Sequence, residues 1–431
     1  MSTVRAVAPA SGPLDGIVDV PGSKSIANRA LVCAALAEGP SHVSGLPDGD
    51  DTVAMVRGLG ALGVAVVLDG TAAAVTGTGG ALPAGPEPVH VDAALAGTTS
   101  RFLTAVAALA HRTVVIDGAP PLRRRPMAPL HDALVELGAR VAAGERAGHL
   151  PVTITGGLRR GGTIAMAGDV SSQYLTALML VAPQLVSGLR ITLTTPLVSA
   201  PYLHLTAAVM ADFGLAGVRV DERAIVVPEG RYVGRPYHVE PDASAASYPL
   251  AMAAIAGGRV TVRDLSTDSR QGDIVVVELL AAMGCAVRST DEGIEVRRDA
   301  HGRLHGLDID MSAVSDLVPT VAVLATTACS PTTIRGVGFI RAKESDRLGD
   351  LAAELNATGA DVTVLDDGLR ITPRAGRRGA VLDPHHDHRL AMAFGVLGTA
   401  VAGISVREPD VVTKSWPGFW DSRDQLAGTA G

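Results

Sequence analysis

Six stretches of the chain are apolar on almost every helical face, and they recur at intervals of roughly 71 to 74 residues. Helices with no polar face must be enclosed. They read IANRALVCAALAEG after Ser23-Lys24-Ser25, FLTAVAALA after Gly97-Thr98-Thr99-Ser100-Arg101, and YLTALMLVAP after Ser171-Ser172-Gln173. The series continues with AASYPLAMAAIAGG after Asp242-Ala243-Ser244, LVPTVAVLATTA after Ser315-Asp316, and LAMAFGVLGTAVAG after Asp387-His388-Arg389. Between them a second pattern is visible in five copies: a one-sided helix, a glycine, a Val-rich strand, a turn and another strand. Gly63, Gly138, Gly217, Gly284 and Gly359 are predicted at the left-handed position after each one-sided helix. Asp69-Gly70, Glu292-Gly293 and Asp367-Gly368 are predicted as hairpin turns. Six units divide into three plus three, with domain crossings expected at Val20-Pro21-Gly22 and Glu240-Pro241-Asp242.

A chain of 431 residues that is 47% apolar can bury more than one core, which favours two domains: 23–242, and 1–22 with 243–431. Only 3% of residues are aromatic, so platforms for stacking nucleobases are few. The net charge of −7 disfavours nucleic acid and anionic membrane as partners; an anion site must be built from locally clustered Lys and Arg. Cys33, Cys285 and Cys329 lie far apart with no CxxC, as suits a reducing cytoplasm. The N-terminal segment lacks a signal-peptide pattern, and the apolar run from Ala391 to about Val406 is shorter than a bilayer span. A cytoplasmic protein is expected. His385, His386 and His388 match no standard zinc spacing, so no metal is expected.

The heads of the apolar helices carry the chemistry. In PGSKSIANRAL, Lys24 and Arg29 flank a helix start beside the hydroxyls of Ser23 and Ser25, a phosphate-binding arrangement. The strings LAGTTSRF, RRRPMAPL, SSQYLTAL, RAKESDRL, DHRLAMAF and VVTKSWPGFW follow in order. Together with PGSKS they resemble the 3-phosphoshikimate 1-carboxyvinyltransferase, or EPSP synthase, family over nearly the whole chain. Each string alone is weak; the ordered set is specific.

The resemblance implies an α/β fold of two similar inside-out α/β barrel domains, each of three βαβαββ units, with the active site in the interdomain cleft. It implies transfer of the enolpyruvyl group of phosphoenolpyruvate to the 5-hydroxyl of shikimate 3-phosphate by addition and elimination. No cofactor is implied, the partners are these small molecules alone, and the chain is expected to act as a monomer. Carried over residue by residue, shikimate 3-phosphate is bound by Lys24, Ser25, Arg29, Ser171, Ser172, Gln173, Ser199, Tyr202, Asp316 and Lys343. Phosphoenolpyruvate is bound by Lys24, Gly97, Thr98, Arg125, Gln173, Arg347, Arg389 and Lys414. Asp316 is the base, Glu344 the proton donor, and Lys24 lies near the departing phosphate.

Bland readings compete residue by residue. Asp316 alone could be an ordinary helix cap, and Lys343-Glu344 with Asp346-Arg347 a salt-bridged helix surface; their place in the ordered set moves both to chemistry. Asp50-Asp51-Thr52 reads as an acidic, structural helix start. Leu95, Ala200 and Phe339 depart from the family's familiar pattern and leave open a paralogue acting on a modified shikimate-like alcohol. A non-catalytic sensor of phosphorylated metabolites would keep the cations and lose the acid–base pair. An RNA-processing protein is disfavoured by charge and aromatic content. The related UDP-N-acetylglucosamine transferases place a Cys in a loop that here reads DGAPPLRRRPMAPL.

Overall fold

The six apolar stretches are buried helices. In the computed structural model, which describes residues 3–299 and 301–429, they form α1 (Lys24–Leu36), α2 (Gly97–Ala107), α3 (Ser172–Val181), α4 (Ala243–Ala256), α5 (Val318–Thr327) and α6 (His388–Gly398). The chain divides into two compact units, Gly22–Val239 and a discontinuous unit made of the chain up to Pro21 with the chain from Glu240 onward. The amide of Asp242 donates to the carbonyl of Pro21 at 2.9 Å, so Asp242 belongs with the segment that follows it.

In the middle unit α1, α2 and α3 share one core that includes Leu31, Phe102 and Leu175. Tyr248, Leu324 and Phe394 of α4, α5 and α6 belong to the core of the discontinuous unit. Part of this second core is aromatic: Phe419 packs edge-on against Tyr248, Trp416 and Trp420 with centroids 5.9, 5.5 and 5.0 Å away. That cluster pins the turn Pro409–Lys414 against α6, which fixes where Lys414 begins.

Among the described residues the strands form five four-stranded sheets and one three-stranded sheet, parallel and antiparallel pairs mixed. One repeat shows the rule. Val89–Asp92 leads into α2 and pairs parallel with Thr113–Asp117, the helix making the crossover that a parallel pair needs; Val152–Thr155 then pairs antiparallel with Thr113–Asp117, and Arg140–Ala143 closes the edge. Two repeats borrow a strand. The sheet of α1 takes Pro236–His238 from the far end of the middle unit, and that of α4 takes Leu14–Val18 from the N-terminal segment. Among the described residues the sixth repeat has no hairpin of its own, and Val4–Ala6 fills the place by pairing antiparallel with Ser405–Arg407. No helix among the described residues is long and apolar enough to cross a membrane.

Two sequence expectations need correction. After the helix Ala200–Asp212 the left-handed position is Gly214 (φ +92°), not Gly217: the amide of Gly214 donates to Ala211 and that of Leu215 to Met210. Gly217 also has φ +85°, but it serves the approach to the strand Arg219–Val220. The second correction concerns hairpins. The two-residue turns are Asp291-Glu292 and Asp366-Asp367, while Gly293 and Gly368 already stand in strands. A Cβ there would lie 2.0 Å from the carbonyl oxygen of Val262 and 1.9 Å from that of Ile334, so close strand approach is what demands glycine.

Candidate active site

The helix heads are chemically unequal. Ser23, Ser171, Asp242 and Asp387 cap α1, α3, α4 and α6 with their own side-chain oxygens, whereas α2 and α5 have no side-chain cap. Two of the six, those of α4 and α6, already hold a carboxylate at the positive end of the helix.

In the middle unit, the expected residues gather around the heads of α1, α2 and α3. Lys24 starts α1, and its Nζ lies 3.1 Å from Asp51 Oδ2, with both side chains largely buried. Asp51 looks merely structural in sequence, yet it is the carboxylate that pairs with Lys24. Gly97 starts α2, and a Cβ there would lie 2.5 Å from Arg125 Nη1 and 2.7 Å from Arg101 Nη1. Of three successive arginines, Arg123 is tied to Asp117, Arg124 is exposed and Arg125 is buried, so Arg125 is the one directed inward. Arg101, absent from the expected ligands, donates to Gly97 O at 3.0 Å and Gln173 Oε1 at 2.9 Å, and lies over the Tyr174 ring. Its position one helical turn after Gly97 was the available signal.

Arg29 takes a larger structural part than expected. It is buried, and its guanidinium donates to Thr206 Oγ1 at 2.8 Å, Ser25 O at 2.6 Å, Thr176 Oγ1 at 3.4 Å and Tyr202 O at 3.2 Å. Burial lowers its pKa only to about 10, so it stays charged at neutral pH. It bolts α1 to α3 and to the helix Ala200–Asp212, and thereby places Ser25 and Tyr202. Ser199 precedes that helix in the left-handed region (φ +55°) and is buried. Ser172 begins α3, and Ser171 accepts from the Gln173 amide at 3.3 Å. Thr98 is half-buried in the first turn of α2. A cavity of about 1030 Å³ beside the helix Ala200–Asp212 includes Ala200 and His204 in its lining but none of the expected ligands.

The discontinuous unit holds a network of charges. Arg347, 2% exposed in its side chain, donates Nη1 to Asp316 Oδ1 at 2.7 Å, Nη2 to Glu344 Oε2 at 2.8 Å and Nε to Asp387 Oδ2 at 2.7 Å. Arg389 donates to the other Asp316 oxygen at 2.7 Å, and Lys414 Nζ donates to Glu344 Oε1 at 3.1 Å. Asp387, fully buried, also accepts from the Arg389 amide and the Ser345 hydroxyl. Sequence showed Asp387 as a helix head only; its grip on Arg347 comes from the fold. Residues 343–348 run irregularly between the turn Gly338–Ala342 and the helix Gly349–Ala357, so they form no charged helix surface.

Electrostatics follow the geometry. Burial alone would raise the pKa of Asp316, but Arg389, Arg347 and Lys343 outweigh it and hold the carboxyl well below the usual carboxylate range. Burial opposes the charge of Arg347 too, and Asp387, Glu344 and Asp316 overcome it. Lys343 Nζ lies 5.7 Å from the centroid of Phe339, so the aromatic departure noted in the sequence packs under a cation. The three neighbouring histidines diverge: His385 meets Glu354, His386 meets Glu408 and His388 is buried beside Asp387. Among the described residues no cluster of His, Cys, Asp or Glu has the arrangement to hold a metal ion.

The arrangement is one of buried cations bracketing two reachable carboxylates, and comparison with known proteins gives it a context. The family model for EPSP synthase (3-phosphoshikimate 1-carboxyvinyltransferase) matches residues 9–422. The 3-phosphoshikimate 1-carboxyvinyltransferase of Methanoculleus marisnigri is 43% identical over 413 residues, covering 96% of this chain and 97% of its relative. That of Nostoc punctiforme is 38% identical over 411 residues, covering 95% of each. A solved EPSP synthase from Acinetobacter baumannii matches with a TM-score of 0.81 and 25% identity across 98% of both chains. With sequence and fold agreeing from end to end, the chain belongs to the EPSP synthase family.

Proposed function

We propose that this protein transfers the enolpyruvyl group of phosphoenolpyruvate to the 5-hydroxyl of shikimate 3-phosphate, releasing phosphate. The observation that carries the reading is the Arg347 network, which ties Asp316, Glu344 and Asp387 to one guanidinium. Two carboxylates surrounded by Arg347, Arg389, Lys414 and Lys343 suit substrates that bring their own carboxylate and phosphate. Lys24, Ser25, Arg29, Ser171, Ser172, Gln173, Ser199, Tyr202, Asp316 and Lys343 orient shikimate 3-phosphate, and Arg29 also holds Ser25 and Tyr202 in place. Lys24, Gly97, Thr98, Arg125, Gln173, Arg347, Arg389 and Lys414 hold phosphoenolpyruvate, and the bare α-carbon of Gly97 leaves room beside Arg125.

In the addition, the 5-hydroxyl attacks C2 of phosphoenolpyruvate and gives its proton to Asp316, while the C2–C3 electron pair takes a proton at C3 from Glu344. Glu344 needs that proton first. An anionic substrate drawing Arg347 and Lys414 toward itself removes the charges that favour a carboxylate there. In the elimination, C3 returns a proton to Glu344, the double bond re-forms, and the C2–oxygen pair leaves with phosphate beside Lys24. Each step uses side chains of this protein.

In this reading each unit is one inside-out α/β barrel of three βαβαββ repeats, supported by three enclosed helices sharing a core in each. The setting is cytoplasmic and the working form a monomer. The test is phosphate release by purified protein. Release from phosphoenolpyruvate should require shikimate 3-phosphate, proceed without added metal, and fail with UDP-N-acetylglucosamine as acceptor. Release without an acceptor, or none with shikimate 3-phosphate, counts against the reading.

A further inference from the structure

The head of α4 carries a buried acid that the reaction above does not use. Asp273 stands in the turn Gly272–Val275, 3% exposed, and accepts a hydrogen bond from the Ser244 hydroxyl in the first turn of α4. The same head is held by Gln271, whose Oε1 accepts from the Ala243 amide at 3.1 Å and whose Nε2 donates to Glu240 Oε1 at 2.8 Å and to Pro241 O at 2.7 Å. The Ser247 hydroxyl links the Ser244 carbonyl, at 2.6 Å, to Thr320 Oγ1 on α5, at 3.0 Å. Thr320 lies one turn after Asp316. The charged groups that act on Asp273 include Asp316 before α5, Arg389 in α6 and Asp242 at the cap of α4. Of these, Arg389 is already hydrogen-bonded to Asp316.

We propose that Asp273 is a positioning residue for the base: a buried carboxyl in a turn that packs on α4, as does the turn Ser315–Leu317 that carries Asp316, and whose charge state sets how strongly Asp316 takes the substrate's proton. The proposal rests on the functional reading above. Asp316 pinned by two guanidiniums is a weak base, and a second negative charge nearby would strengthen it, both directly and by competing for Arg389. Burial pushes the Asp273 carboxyl up, Asp316 adds to the effect, and Arg389 and Ser244 pull against it, leaving it at about 7. As pH rises through that value, Asp273 loses its proton, gains charge, and makes Asp316 the better acceptor. A plain structural acid at the head of α4 would have no such effect.

Asp273→Asn fixes the neutral form. In wild type, kcat should rise on the order of threefold to tenfold across an inflection near pH 7; in D273N the rise should be missing, with the two enzymes converging at lower pH. Ser244→Ala removes a hydrogen bond that favours the charged form, so its inflection should move to higher pH. Stability supplies a readout independent of turnover. The folded protein holds the Asp273 proton to higher pH than the unfolded chain, so ionisation costs wild type stability between roughly pH 4 and 7, and D273N escapes that cost. The gap in urea midpoint should therefore shift in favour of D273N as pH rises. A kcat lowered equally at every pH, with a stability gap that ignores pH, overturns the proposal. Wild type that fails to turn over phosphoenolpyruvate with shikimate 3-phosphate overturns the functional reading itself, and that outcome is separately visible.

Discussion

Arg347→Met is expected to cost about 3 to 5 kcal/mol of stability and to abolish measurable turnover. Arg347 is almost fully buried and is shared by Asp316, Glu344 and Asp387. Removing it strands negative charge in the interior, most severely at Asp387, which is fully buried. Other donors cannot make good the loss, because Lys414 serves Glu344 and Arg389 serves Asp316. Arg347→Lys should rescue little, since one ammonium cannot reach three carboxylates in the planar fork that guanidinium offers. Urea unfolding at neutral pH checks the first half and steady-state kinetics the second. A variant as stable as wild type would mean that the three carboxylates do not depend on this guanidinium.

Asp316→Asn separates chemistry from binding. The amide keeps the shape of the carboxyl but cannot take a proton, so kcat should fall by about 10²- to 10⁴-fold. Binding of phosphoenolpyruvate should hold or tighten. Arg389 now spends one of its donors on Asp316 Oδ2, and losing that competitor frees it for the substrate's anion. The fold should survive, because Arg347 keeps Glu344 and Asp387. Equilibrium binding beside kcat decides: a large loss of affinity with kcat near wild type would make Asp316 a ligand and remove it as the base.

Much of this organisation was legible in the sequence because it rests on local rules. A helix apolar on all sides must be enclosed, and the six such stretches are the six enclosed helices. Left-handed glycines close one-sided helices, as at Gly63, Gly138, Gly284 and Gly359. Where two candidates stood close together, at Gly214 and Gly217, pattern matching favoured the one beside the strand while the hydrogen bonds chose the other. Pairing between distant segments left no local trace: nothing in Val4–Ala6 announces that it completes a sheet with Ser405–Arg407. The same limit applies to the site. Asp51, Asp387 and Asp273 look like solvated helix-start acids in sequence, and their weight comes from burial against Lys24, Arg347 and Ser244. Arg29 shows the converse, a residue of a phosphate-binding motif that also bolts helices together, and its motif gives no sign of the second part.

The proposed addition and elimination, carried by two carboxylates, leave an isotopic mark. Protonation turns the methylene carbon of phosphoenolpyruvate into a methyl group, and elimination then removes one of its three hydrogens. Product made in D₂O from phosphoenolpyruvate and shikimate 3-phosphate should therefore carry deuterium in its vinyl methylene, with one phosphate released per product. Mass spectrometry of the isolated product reads this directly. A product free of deuterium would contradict the proposed chemistry, and so would phosphoenolpyruvate consumed with no enolpyruvyl product.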